Sequence, residues 1–128
     1  MQTKIISIVN ELKNKAVSYD DVEPAFWENG EFVRELCKAK GNMLMLGYAA
    51  DNVKKDEEIM LGLIELDWKA AIFADDSLKK DSTFMLKAFK KAPAGTVWLV
   101  FECADDSLKN DPDFQREAQS IIDGRDAA

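Results

Sequence analysis

An apolar bracket around a polar residue recurs four times along the chain. With Asn29, Asp56, Asp81 and Asp111 as origins, the residue three places before is Phe26, Val53, Leu78 or Leu108. Three places after stands Phe32, Ile59, Phe84 or Phe114, and seven after stands Leu36, Leu63, Ala88 or Ala118. Positions spaced this way share one face of a helix. Asp and Asn are strong N-cap residues, because a side-chain oxygen accepts an otherwise unpaired N–H of the first turn. The pattern predicts helices over about 30–39, 57–66, 82–91 and 112–122. Pro112 takes a first helical position, where a missing N–H costs nothing. Glu31, Glu57, Glu58 and Asp113 put negative charge near the positive end of the helix dipole.

The bracket belongs to a longer echo. ADDSLKKD at 74–81 returns as ADDSLKND at 104–111, differing only in Lys80 against Asn110, and the four origins lie 27, 25 and 30 residues apart. Self-similarity of this period is the signature of a repeat architecture. A second helix closes each inner unit, with Asn42, Asp67 and Thr96 as its N-caps and bodies MLMLGYA (43–49), WKAAIFA (68–74) and VWLVFECA (97–104). VWLVFE alone has strand composition, but its register with two helical segments predicts helix. Ahead of the array, Ile5, Ile8, Val9 and Leu12 outline an amphipathic helix over 3–15. SYDDVEP at 18–24 then breaks it, with Pro24 disfavouring helix at Glu23 and suiting the first turn of the next helix.

The ends differ from the middle. Five residues after the origin, Leu61 and Leu86 of the inner units become Arg34 and Arg116, and Ile64 and Phe89 become Gln119 in the last. Stacked repeats need such polar outer faces at their termini. The expected fold is all-α and one domain over 1–128. A helix at 3–15 precedes four helix-pair units at about 19–41, 42–66, 67–95 and 96–122, packed as a compact α-solenoid-like bundle. A polar tail at 123–128 frays past a helix stop at Gly124.

Charge narrows the partners. The net charge of −7 opposes direct binding to nucleic acid, which rests on neutralising phosphates with Lys and Arg. It suits cytoplasmic solubility, or a protein partner with a basic surface. The apolar runs are short, so no membrane span is expected, and residues 1–15 lack the cleavage pattern of a secretory signal. Cys37 and Cys103 form neither a CxxC pair nor a metal-binding spacing, and read as free thiols of a reducing compartment.

The chain has no histidine and no glycine-rich phosphate loop, and no catalytic, metal or cofactor-binding residue is assigned. Two sets of residues remain as candidates for contact with a partner. Asp75, Asp76, Asp105 and Asp106 form an acidic ridge at the turns ahead of Leu78 and Leu108; they lack the alternating ligands and central glycine of a calcium loop. Trp68 and Trp98 share a slot with Met43, and either stack in the core or line a concave binding face. Trp27 stands outside that pattern and is expected to be exposed. Lys87, Lys90 and Lys91 read as a solvated helix end.

YAADNVKKDEEIML (48–61), FADDSLKKDSTFML (73–86) and CADDSLKNDPDFQ (103–115) resemble the helical repeats of a bacterial and protist family, domain of unknown function number 4116. The likeness covers about residues 26–122 and implies a helical-repeat fold, with no catalytic residues to carry over. The expected function is a non-enzymatic protein-interaction module. The alternative is a small acidic inhibitor, an immunity or anti-defence protein that occludes a basic, nucleic-acid-binding surface on its partner.

Overall fold

The computed structural model describes residues 7–11, 22–41 and 43–126, with side chains as far as Gly124. Residues 7–11 are helical (α1), with Ile8 and Val9 against the core; the rest of the helix expected over 3–15, and Asn42, lie outside the described residues. The described residues contain helices and no strand.

Long helices form one row: α3 (Gly30–Lys40), α5 (Glu57–Leu66), α8 (Ser82–Lys91) and α11 (Pro112–Asp126). Each packs on the next, α3 on α5, α5 on α8 and α8 on α11. Their starts are set by the expected caps. Asn29, Asp56 and Asp81 accept the backbone N–H three residues on, from Phe32 at 3.0 Å, Ile59 at 3.1 Å and Phe84 at 3.2 Å. Asp111 accepts instead from Asp113 N at 2.9 Å, two residues on. Ten of the twelve predicted core slots are buried, namely Phe32, Phe84 and Phe114, Val53, Leu78 and Leu108, and Leu36, Leu63, Ala88 and Ala118, while Phe26 and Ile59 are half-buried.

α3 ends at Gly41, whose φ of 70° is the left-handed conformation that favours glycine. Gly30, at the other end, admits a close approach: a Cβ there would stand 2.8 Å from Ile59 Cγ1 of α5.

The structure differs from the pattern reading in the stretches between long helices. The acidic joints are one-turn helices, not turns: α2 (Pro24–Trp27), α4 (Asp51–Lys54), α7 (Asp76–Lys79) and α10 (Asp106–Lys109). The second helices also vary. The first is a 3₁₀ segment, η1 (Leu44–Tyr48), followed by α6 (Ala70–Phe73) and α9 (Val97–Glu102). VWLVFE is therefore helical, as the register predicts. Asp67 accepts from Lys69 N at 2.9 Å and so shapes the approach to α6. Thr96 precedes α9 but its side chain does not cap it; the hydroxyl donates back to the Pro93 carbonyl in the KAPAG connection. Gly124 does not stop α11, which runs to Asp126; positive φ occurs among the described glycines only at Gly41 and Gly95.

Candidate functional site

The joints make a regular charged edge. Asp75 opens α7 by accepting Ser77 N at 3.0 Å and Ser77 Oγ at 2.7 Å, and Asp105 opens α10 through Ser107 at the same distances. These two serine hydrogen bonds, hydroxyl first and backbone second, hold both carboxyls below their ordinary range. Half of the expected acidic ridge is thus committed to capping. Asp76 and Asp106, in the first helical position, are the exposed members of each pair, and Asp51 stands exposed in the equivalent place of α4.

Consecutive joints are tied backbone to backbone. Ala50 N donates to Trp27 O at 2.9 Å, Asp75 N to Lys54 O at 3.0 Å and Asp105 N to Lys79 O at 3.0 Å. All three donors lie six residues before an origin, and all three acceptors lie two residues before the preceding one. Asn52 adds a bond from Nδ2 to Glu28 O at 2.8 Å. Lys79 and Lys109 fold across to the second-helix row, donating to Ile72 O at 2.8 Å and Glu102 O at 3.2 Å. The last joint's equivalent acceptor, Lys109 O, is taken by the Gln115 side chain, which closes the series.

Lysine thins out along this edge. Residues 50–56 hold two aspartates and two lysines, 75–81 three aspartates and two lysines, and 105–111 three aspartates and one lysine. Asp106 also faces Lys109 Nζ at 3.5 Å. The ridge is therefore a mixed-charge row whose acidity grows toward the C-terminal end.

Trp27 is the main correction. It is 6% exposed, edge-on to Phe32 at 5.6 Å and stacked on Tyr48 at 5.6 Å. Its slot belongs to Lys54, Lys79 and Lys109 in the later joints, where a long side chain lies over the neighbouring short helix. Trp27 instead turns an apolar ring to Tyr48 of η1, the short helix that follows it, and buries it. Phe26, the residue placed in the apolar slot, is only half-buried, 5.1 Å from Phe32.

The shared slot of the other tryptophans shows a gradient. Met43 is 5% exposed, Trp68 is half-buried against the core, and Trp98 is 56% exposed. Trp98 stacks on Phe101 at 5.6 Å and 11°, and Phe101 stacks on Phe114 at 6.0 Å and 16°. Beside this stack lies a groove of about 280 Å³ between α9 and α11, lined by Trp98, Phe101, Lys109, Gln115, Gln119 and Ile122 among others. A second concavity of about 300 Å³ joins Cys37, Gly41 and Met43 to Leu66 and Asp67.

The exposed large apolar side chains follow the second-helix row. Leu44 and Tyr48 lie on η1, Ile72 on α6, and Trp98 and Leu99 on α9, while Leu66 lies apart at the C-terminal end of the long helix α5. Leu44, the most open, is 73% exposed.

The thiols are unreactive by environment. Burial pushes Cys37 up to about 12, and its Sγ lies 3.1 Å from Met45 Sδ. Partial burial also raises Cys103 despite Lys79 and Lys109, and its Sγ faces Leu99 O at 3.5 Å. Lys87 and Lys91 are more than a solvated end: they reach Glu57 at 2.9 Å and Glu65 at 3.9 Å across the α5–α8 packing. Among the described residues no group of three or more His, Cys, Asp or Glu is placed to hold a metal ion, and no helix is long and apolar enough to cross a membrane. No family model, curated protein or solved structure matches the chain.

Proposed function

We propose that the chain is a protein-interaction module that performs no chemistry of its own, working in a reducing, cytoplasmic compartment. The observation that carries this reading is the concentration of exposed apolar side chains on one row of short helices, edged by the charged joints. Isolated exposed apolar residues need no explanation, whereas a row of them marks a contact surface. Trp98 is its natural anchor, since tryptophan is enriched where binding energy concentrates. Stacked helix units commonly present extended binding faces, which suits the same reading.

Affinity capture with the intact chain tests it, using two surface variants as controls. One carries Asp51→Lys, Asp76→Lys and Asp106→Lys; the other carries Leu44→Ser, Ile72→Ser and Trp98→Ser. A partner held by the native chain and lost by the apolar-row variant supports the proposal, and strong salt dependence assigns the contact to the joints instead. If every captured protein binds both variants as well as the native chain, neither row is a binding surface and the proposal fails.

A further inference from the structure

We infer that the Asn29–Gly30 step at the head of α3 is a self-modification site, where Asn29 is hydrolysed to aspartate without an enzyme, and that the cap of α3 keeps it latent. The inference is independent of the interaction-module reading. Asn29–Gly30 is the one Asn–Gly pair in the sequence. Asparagine is a thermolabile residue, and a following glycine, having no Cβ, leaves its own backbone nitrogen open to approach.

The reaction uses only water. Gly30 N loses its proton to solvent and attacks the Asn29 side-chain carbonyl carbon, closing a five-membered succinimide. The bond from that carbon to Nδ2 breaks, and the nitrogen leaves as ammonia after taking up a proton. Water then adds to one ring carbonyl and breaks its bond to the Gly30 nitrogen. Opening at the side-chain carbonyl gives aspartate; opening at the backbone carbonyl gives isoaspartate, whose main chain runs through the former side chain.

The fold demands both residues, for separate reasons. A Cβ at position 30 would stand 2.8 Å from Ile59 Cγ1 and 3.0 Å from its Cδ1, so glycine is what lets α3 start against α5. Position 29 needs a cap, and Asn serves there as Asp does at 56, 81 and 111. The labile pair is thus built in where a cap must be followed by a glycine.

The folded geometry holds the reaction off. Asn29 has φ −99° and ψ 110°, and its side-chain oxygen accepts Phe32 N at 3.0 Å. Ring closure needs the Gly30 nitrogen on the same side of the Cα–C bond as the Asn29 Cβ, and at this ψ it lies on the far side. Turning it round would swing α3 off α5 unless the first turn of α3 unwinds. The chain just before Asn29 is fixed as well, by the bonds from Ala50 N to Trp27 O and from Asn52 Nδ2 to Glu28 O. Local opening of the helix start is therefore the gate, and such openings cost less than global unfolding.

The two products differ in consequence. Aspartate restores the cap with the residue of the other three origins and adds a negative charge at the positive end of the helix dipole. Isoaspartate lengthens the main chain by one carbon, moves Gly30 off its approach to Ile59 and loosens α3.

The experiment is peptide mapping by mass spectrometry of the intact chain held at mildly alkaline pH. It is run folded, fully unfolded in guanidinium chloride, and in guanidinium chloride well below the unfolding midpoint. In the unfolded chain Asn29 is expected to convert before every other asparagine. Folding should slow that conversion by about tenfold or more, and the low denaturant concentration should already speed it again. The Asn29→Asp variant is expected to unfold at the same denaturant concentration as the native chain. Equal rates in the folded and unfolded chains would overturn the latch, and a rate that rises only with the global transition would overturn the local gate. No conversion in the folded chain, or an unfolded chain in which another asparagine reacts first, would overturn the site. An Asn29→Asp variant that unfolds more easily would overturn the claim that the fold accepts the aspartate product.

Discussion

The joint row and the second-helix row come from the same repeat but obey it to different degrees. Every joint from α2 to α10 is a single turn of α-helix of the same length, and successive joints are tied by the same backbone hydrogen bond. The second row runs from a five-residue 3₁₀ segment to four- and six-residue α-helices, with connections of different length. α7 and α10 are held by short-range chemistry, a capping aspartate, a serine two residues on and a lysine folding back to a carbonyl, whereas α2 and α4 keep the same length with no side-chain cap. The second row is held by burial of one face, and its other face is free to change. Regularity marks where the fold is specified; variation marks where the surface is free to change.

Substitutions that separate burial from exposure test this contrast most strongly. Leu78→Ala at the core-facing position of α7 is expected to cost about 2–5 kcal/mol in urea unfolding. Ile72→Ala on α6 should stay within about 0.5 kcal/mol. Comparable losses would mean that the second row is structural after all. Next in size is capping. Asp81→Ala removes the acceptor for Phe84 N and should cost about 1 kcal/mol, whereas Asp76→Ala, one position past a cap, should be close to neutral by the same assay.

A smaller effect appears in acid. Asp75 and Asp105 have folded values depressed by their serines, so the stability they add is present above the ordinary carboxylate value of about 3.9 and is lost as pH falls through the folded values. Urea unfolding between pH 7 and pH 2.5 should show a steeper acid loss for the native chain than for the Asp75→Asn, Asp105→Asn variant; parallel curves would mean that the joint caps carry no pH-dependent stability. Least of all is the exposed Lys87–Glu57 pair, where Lys87→Met should change stability by under about 1 kcal/mol, with the difference shrinking in high salt.

The long-helix row is legible in the sequence because its signals are side chains at fixed offsets. Asn29, Asp56 and Asp81 cap where the pattern places them, and α5 and α8 begin and end as predicted. The one-turn joints are not, since four residues cannot display a helical period that needs a window of 11–18. Short helices of this kind draw their stability from packing, which the sequence does not print. Trp27 escapes the pattern for the same reason: its slot holds lysine in the later joints, and only the fold shows that its ring meets Tyr48 of η1. The backbone bonds between joints carry no side-chain signature at all. For the groove, the polar replacement at Gln119 is visible as a mark of the array's end, while the aromatic floor beside it needs α9 and α11 in place.

The bonds from Ala50 to Trp27, Asp75 to Lys54 and Asp105 to Lys79 make the joint edge resist stretching, because lengthening it breaks them together. The second row contains no such recurring tie among the described contacts, and its short helices are joined by side-chain packing. The joint edge is thus the part of the array whose spacing backbone hydrogen bonds fix, as a spine fixes the pages of a book, while the row that carries the exposed apolar side chains is held by packing alone.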